Sequence, residues 1–93
     1  MNVMPISDLI AQVSQICKRN GVQRLDLFGS FATGTATPTS DIDFVVYGCK
    51  DIPHLEEELE NIHTLRKIDI FEYESINNKF LKEDIEKYGK QIY

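Results

Sequence analysis

Three aspartates and a Gly-Ser pair carry the chemistry this sequence offers. Gly29-Ser30 follows a short alternating run, Val22 to Phe28, and precedes Phe31 to Ser40, a stretch rich in Thr, Gly, Ala and Pro. The pair therefore falls where a strand gives way to a helical turn and then a loop. Such a turn aims free backbone N–H groups and the Ser30 hydroxyl at one point carrying partial positive charge, a place that suits a phosphate. After ten further residues comes Asp41-Ile42-Asp43. Strand periodicity puts these two carboxylates on one face, about 6.5–7 Å apart along the backbone. Asp69 lies in the next alternating run, Lys67 to Glu72, on the face opposite Ile68 and Ile70. With the strands side by side, the three carboxylates converge near the Gly29-Ser30 turn.

Crowded carboxylates repel, and one must take up a proton unless a cation compensates. A hard divalent ion fits: Mg2+, or Mn2+ in its place, prefers oxygen ligands and completes its shell with water and substrate phosphates. Two such ions roughly 3.5–4 Å apart would activate an attacking oxygen and stabilise a pyrophosphate leaving group. Phosphoryl-type transfer needs mainly positioning and charge neutralisation, so no catalytic His or Cys is required.

The surrounding elements must hold these groups in place. Ile6, Leu9, Ile10, Val13, Ile16 and Cys17 form one stripe of a helix from Ser7, a candidate cap, to Asn20, with Gly21 as its stop. Asp41 to Tyr47 reads as a strand with Ile42, Phe44 and Val46 on its apolar face. A second long helix runs from the Gly48–Pro53 turn to about Leu65, with Leu55, Leu59 and Ile62 inward. A final helix spans roughly Ile76 to Tyr88 and stops near Gly89, and Lys90 to Tyr93 either adds a short edge strand or packs. The order αβαβαβα predicts a small α/β (α+β) fold, a mixed sheet flanked by helices.

The G-S-x10-D-x-D spacing with a third strand acid, carried by FGSFATGTATPTSDIDFVV and KIDIFEY, resembles the DNA polymerase beta-type nucleotidyltransferases, and within them the minimal nucleotidyltransferases. The resemblance implies a palm-like nucleotide-binding fold. In it Asp41, Asp43 and Asp69 would be the catalytic metal ligands, and Gly29 and Ser30 would cradle the phosphates of ATP or another NTP. It further implies a separate HEPN-type four-helix-bundle partner, in some pairs a toxin whose tyrosine receives AMP from the nucleotidyltransferase as antitoxin. One departure stands out: many relatives carry Arg or Lys around positions 31–36, where this chain has Phe31, Thr33, Thr35 and Ala36. Lys50, Arg66 and Lys67 are the candidate substitutes. Transfer of AMP to a partner's hydroxyl is the leading expectation. Transfer to a small molecule such as an antibiotic, or a non-catalytic nucleotide-binding subunit, are the alternatives.

Composition bounds these readings. Ninety-three residues suit one domain, 1–93, with no length to spare for a substrate-recognition domain. Ten Lys plus Arg against fifteen Asp plus Glu leave a formal charge of −5, which argues against non-specific nucleic-acid binding. No apolar run approaches the ~20 residues of a membrane span. Cys17 and Cys49 have no metal-ligand spacing, so a reduced, cytoplasmic protein is expected, with Cys17 in the core and Cys49 in a loop. Asp26 reads as a solvated or Arg24-neighbouring acid, and His54 and His63 as surface residues of one helix. Glu56, Glu57, Glu58 and Glu60 read as that helix's wet face, and Tyr47, Tyr73, Tyr88 and Tyr93 as packing or edge residues.

Overall fold

The computed structural model describes residues 4–93. Its elements are α1 (Ile6–Arg19), β1 (Arg24–Phe28), α2 (Ser30–Thr33), β2 (Ile42–Tyr47), α3 (Ile52–Glu60), β3 (Ile68–Glu72), a 3-10 turn (Tyr73–Ser75), α4 (Lys79–Tyr88) and β4 (Lys90–Gln91). The four strands form one mixed sheet in the order β3-β2-β1-β4. β1 pairs antiparallel with β2 and with β4, whereas β2 and β3 run parallel, joined through α3. The expected α+β architecture is the one observed, with Lys90–Gln91 resolved as an edge strand.

The period-two pattern of the strands sets the core. Leu25 and Leu27 of β1 and Ile42, Phe44 and Val46 of β2 point to one face, where Leu9, Val13 and Cys17 of α1 and Leu55 and Leu59 of α3 cover them. Each such side chain contributes about 1.5–3 kcal/mol when fully buried. Burial also pushes the Cys17 thiol up to about 12, so it remains a protonated core residue, while Cys49 is half-buried. The opposite sheet face is covered in part by α4 through Ile85, and there the polar residues of the strands gather. No helix among the described residues is long and apolar enough to cross a membrane.

Four expectations need correction. α1 begins with Pro5 as its N-cap, and Ser7 lies inside the helix without a capping bond, because the Pro5 carbonyl already accepts from Leu9 N–H at 3.0 Å. α3 ends at Glu60 rather than Leu65. Its last turn tightens into i→i−3 bonds, Asn61 N–H to Glu58 O and Ile62 N–H to Leu59 O, which let Ile62 reach the core and leave Leu65 96% exposed. His63 is therefore off the helix, while His54 pairs with Glu58 one turn on, at 2.8 Å. α4 starts at Lys79 because the Asn78 side chain caps it, accepting from the N–H groups of Phe80 and Leu81, and Ile76 is extended.

Candidate active site

The parallel register between β2 and β3 sets Asp43 directly beside Asp69. The antiparallel register with β1 sets Asp43 beside Phe28, so Gly29 is the next residue along that edge. Strands about 4.8 Å apart then bring two carboxylates and a glycine turn together on one sheet face. Gly29 has φ +70°, and a Cβ on it would stand 2.3 Å from Asp43 Oδ2. The backbone thus passes so close to the carboxylate that only glycine fits. Ser30 opens α2 immediately afterwards, and the leading amides of that turn have no intrahelical acceptor.

The electrostatics follow from this crowding. Burial first, then the charge and the hydrogen-bond reach of Asp69, then the charge of Asp41, hold the Asp43 carboxyl above its ordinary range; Lys67 opposes them. Lys67 Nζ lies 3.6 Å from Asp69 Oδ1. Asp41 precedes β2 on an exposed backbone and joins the pair through charge alone. The acids therefore meet as a pair with a nearby third member. Among the described residues, no three His, Cys, Asp or Glu close into a ready cage for a metal ion. The donor set nevertheless suits a hard divalent cation. All its atoms are carboxylate oxygens, the central one is disfavoured as an anion, and a cation would relieve that repulsion.

Of the candidate basic substitutes, only Lys67 reaches the acids. Lys50 lies past the far end of β2 from Asp43. Arg66 spends its guanidinium on backbone carbonyls, donating to Ser40 O and, at 3.2 Å, to Pro38 O, while stacking over the Phe31 ring.

Asp26 is not solvated. It is 1% exposed and accepts from Arg24 Nε at 2.9 Å, Arg24 Nη2 at 3.1 Å and the Tyr47 hydroxyl at 2.9 Å. The expected Arg24 neighbour is there, but the burial was missed, because an acid alternating with Leu25 and Leu27 carries the local pattern of an outward-facing strand residue. Burial and this bond push the Tyr47 hydroxyl well above the ordinary tyrosine range. Tyr47 stacks on Tyr73, with ring centroids 4.7 Å apart, so this network props the sheet face at the end away from the acids.

Comparison with known proteins decides what the site belongs to. The family described as polymerase beta nucleotidyltransferase matches residues 11–93. The chain belongs to that family. The nucleotidyltransferase is 35% identical, over 89 residues, to MJ1379 of Methanocaldococcus jannaschii, which is named as a protein adenylyltransferase; the match covers 88% of this chain and 89% of that one. It also matches a solved structure described as a minimal nucleotidyltransferase, with TM-score 0.63, 26% identity, and coverage of 97% of this chain and 96% of that one. A toxin–antitoxin crystal structure with AMP-PNP shares the fold at TM-score 0.66 and 23% identity, over 96% of this nucleotidyltransferase and 73% of that chain. The resemblance read from the G-S-x10-D-x-D motif is thus borne out at the level of family and fold.

Proposed function

We propose that this nucleotidyltransferase takes ATP with Mg2+ and transfers AMP to a hydroxyl of a separate helical protein, releasing pyrophosphate, as the antitoxin of a toxin–antitoxin pair with a HEPN-type partner. The single observation that carries the site is the apposition of Asp43, Asp69 and the Cβ-free edge of Gly29. Support for the acceptor class comes from relatives named as protein adenylyltransferases and from a toxin–antitoxin fold neighbour.

Asp41, Asp43 and Asp69 would hold the divalent ions, with Asp41 and Asp43 on the nucleotide side and Asp69 toward the acceptor. The chemistry a divalent cation would supply at these carboxylates is charge neutralisation for the triphosphate and a lowered pKa for the acceptor hydroxyl. Gly29 and Ser30 would receive the β- and γ-phosphates on the amides and hydroxyl of the α2 turn. Of Lys50, Arg66 and Lys67, Lys67 is the cation that reaches the carboxylates, through Asp69. Alignment of the α-phosphate with the incoming hydroxyl supplies the remainder of the barrier reduction.

Incubation with α-labelled ATP, Mg2+ and the product of the adjacent gene tests the acceptor. We expect label on a hydroxyl side chain of that partner, seen as an added AMP in its mass. Label on an aminoglycoside or other small alcohol, with no labelled protein, would overturn the protein-acceptor reading.

A further inference from the structure

We infer that Arg66 is a positioning residue that pins Asp41 to the Asp43–Asp69 pair, an inference that rests on reading Asp41 as a metal ligand. Asp41 is exposed, so packing does not fix it; its backbone neighbours must. Both neighbours are held by consecutive residues on the approach to β3. Ser40 O accepts from Arg66 Nη1, and Ile42 N–H donates to Lys67 O at 3.0 Å. Asp41 is the one residue between these two attachment points.

The loop beyond is closed on itself. Ser40 N–H donates to Thr37 O at 3.1 Å, and Thr37 N–H donates to Ser40 Oγ at 2.8 Å. The Pro38 and Ser40 carbonyls take no part in that closure, and the Arg66 fork donates to both. The same guanidinium lies over the Phe31 ring, 4.9 Å from its centroid, and Phe31 directly follows Ser30. One side chain therefore joins the phosphate turn, the loop that carries Asp41 and the strand that carries Asp69. A planar fork with two donors and a stackable face does this, whereas a lysine offers one flexible point charge. Arg66 thus acts through geometry, and its charge is spent on neutral carbonyls rather than on phosphates.

The test compares Arg66→Lys, Arg66→Ala, Phe31→Leu and Asp41→Asn with the unaltered chain. It reads Mn2+-dependent ATP binding by calorimetry and amide hydrogen exchange across residues 37–42. Both Arg66 variants should exchange faster at Ser40 to Ile42. Both should also bind Mn2+-ATP about 10–100-fold more weakly, the usual cost of removing a group that orients a metal ligand, with Lys nearly as poor as Ala. Phe31→Leu, which removes only the stacking platform, should shift exchange in the same direction by less. Should Arg66→Ala fail to fold, Arg66→Lys with Phe31→Leu carries the same comparison. Wild-type Mn2+-ATP affinity in Arg66→Lys would overturn the proposal, because charge alone would then suffice. Weakened binding with unchanged exchange would overturn it too, by placing Arg66 on the nucleotide itself. Faster exchange in the Arg66 variants beside wild-type affinity in Asp41→Asn would show instead that the ligand reading of Asp41 had failed while the latch itself stood.

Discussion

Asp43→Asn should abolish nucleotidyl transfer, a fall of several orders of magnitude, while raising the thermal stability of the metal-free chain at neutral pH. The first half follows from its position. Asp43 is the residue that faces Asp69 across the β2–β3 register and the Gly29 backbone at once, so no other carboxylate can take its place. The second half follows from linkage. Burial, Asp69 and Asp41 hold the Asp43 carboxyl above its ordinary range, so the folded chain binds that proton more tightly than the unfolded chain does. That contribution to stability is fully present at pH values below the unfolded carboxylate pKa, about 3.9, and is lost as pH rises through the raised folded value. The Asn variant has no such loss. Its melting midpoint should match the parent's below about pH 4 and exceed it at pH 7, measured with chelator present. A lower midpoint at pH 7 would make Asp43 a structural residue, and full transfer by a well-folded variant would remove it from the site.

Gly29→Ala should be nearly as damaging to transfer, for a different reason. The substitution imposes a side chain on a backbone at φ +70°, which costs about 1–3 kcal/mol of stability, and drives a methyl to 2.3 Å from Asp43 Oδ2. The carboxylate must leave the Gly29 edge and with it its present place between that edge and Asp69, so transfer should fall with the fold otherwise intact. The clash can be separated from the backbone strain. In an Asp43→Ala background the nearest remaining Asp43 atom is Cβ at 3.6 Å, an ordinary contact, so there the glycine substitution should cost only the strain. Denaturant midpoints of the four chains measure this. Equal costs in both backgrounds would mean that the backbone edge and the carboxylate are not in contact.

The face of each acid was legible, because a period of two needs only local sequence: Asp43 and Asp69 lie opposite the apolar rows that begin at Ile42 and Ile68. Their mutual register was not. It depends on how far the β2–α3–β3 crossover carries the chain, and the α3 boundary, misplaced by five residues from Glu60 to Leu65, is set by the tertiary demand to bury Ile62. Asp26 illustrates the same limit. An aspartate between two leucines reads as the wet side of a strand, and only the pairing of β1 with both β2 and β4, under α4, turns that side into an interior. Arg66 was visible as a nearby cation, but its partners are backbone carbonyls, which leave no mark in sequence. The Gly29-Ser30 pair was the clearest signal, and the structure adds its reason: the glycine makes room for the carboxylate of Asp43, beyond the turn and loop that follow it.

Calorimetric titration of ATP into the protein, once with Mg2+ and once with EDTA, tests the central claim most directly, because the carboxylate cluster can hold a triphosphate only through cations. The account predicts binding with Mg2+, none measurable with EDTA, and loss of the Mg2+-dependent binding in Asp43→Asn. ATP binding of equal strength in EDTA and in Mg2+ would contradict it.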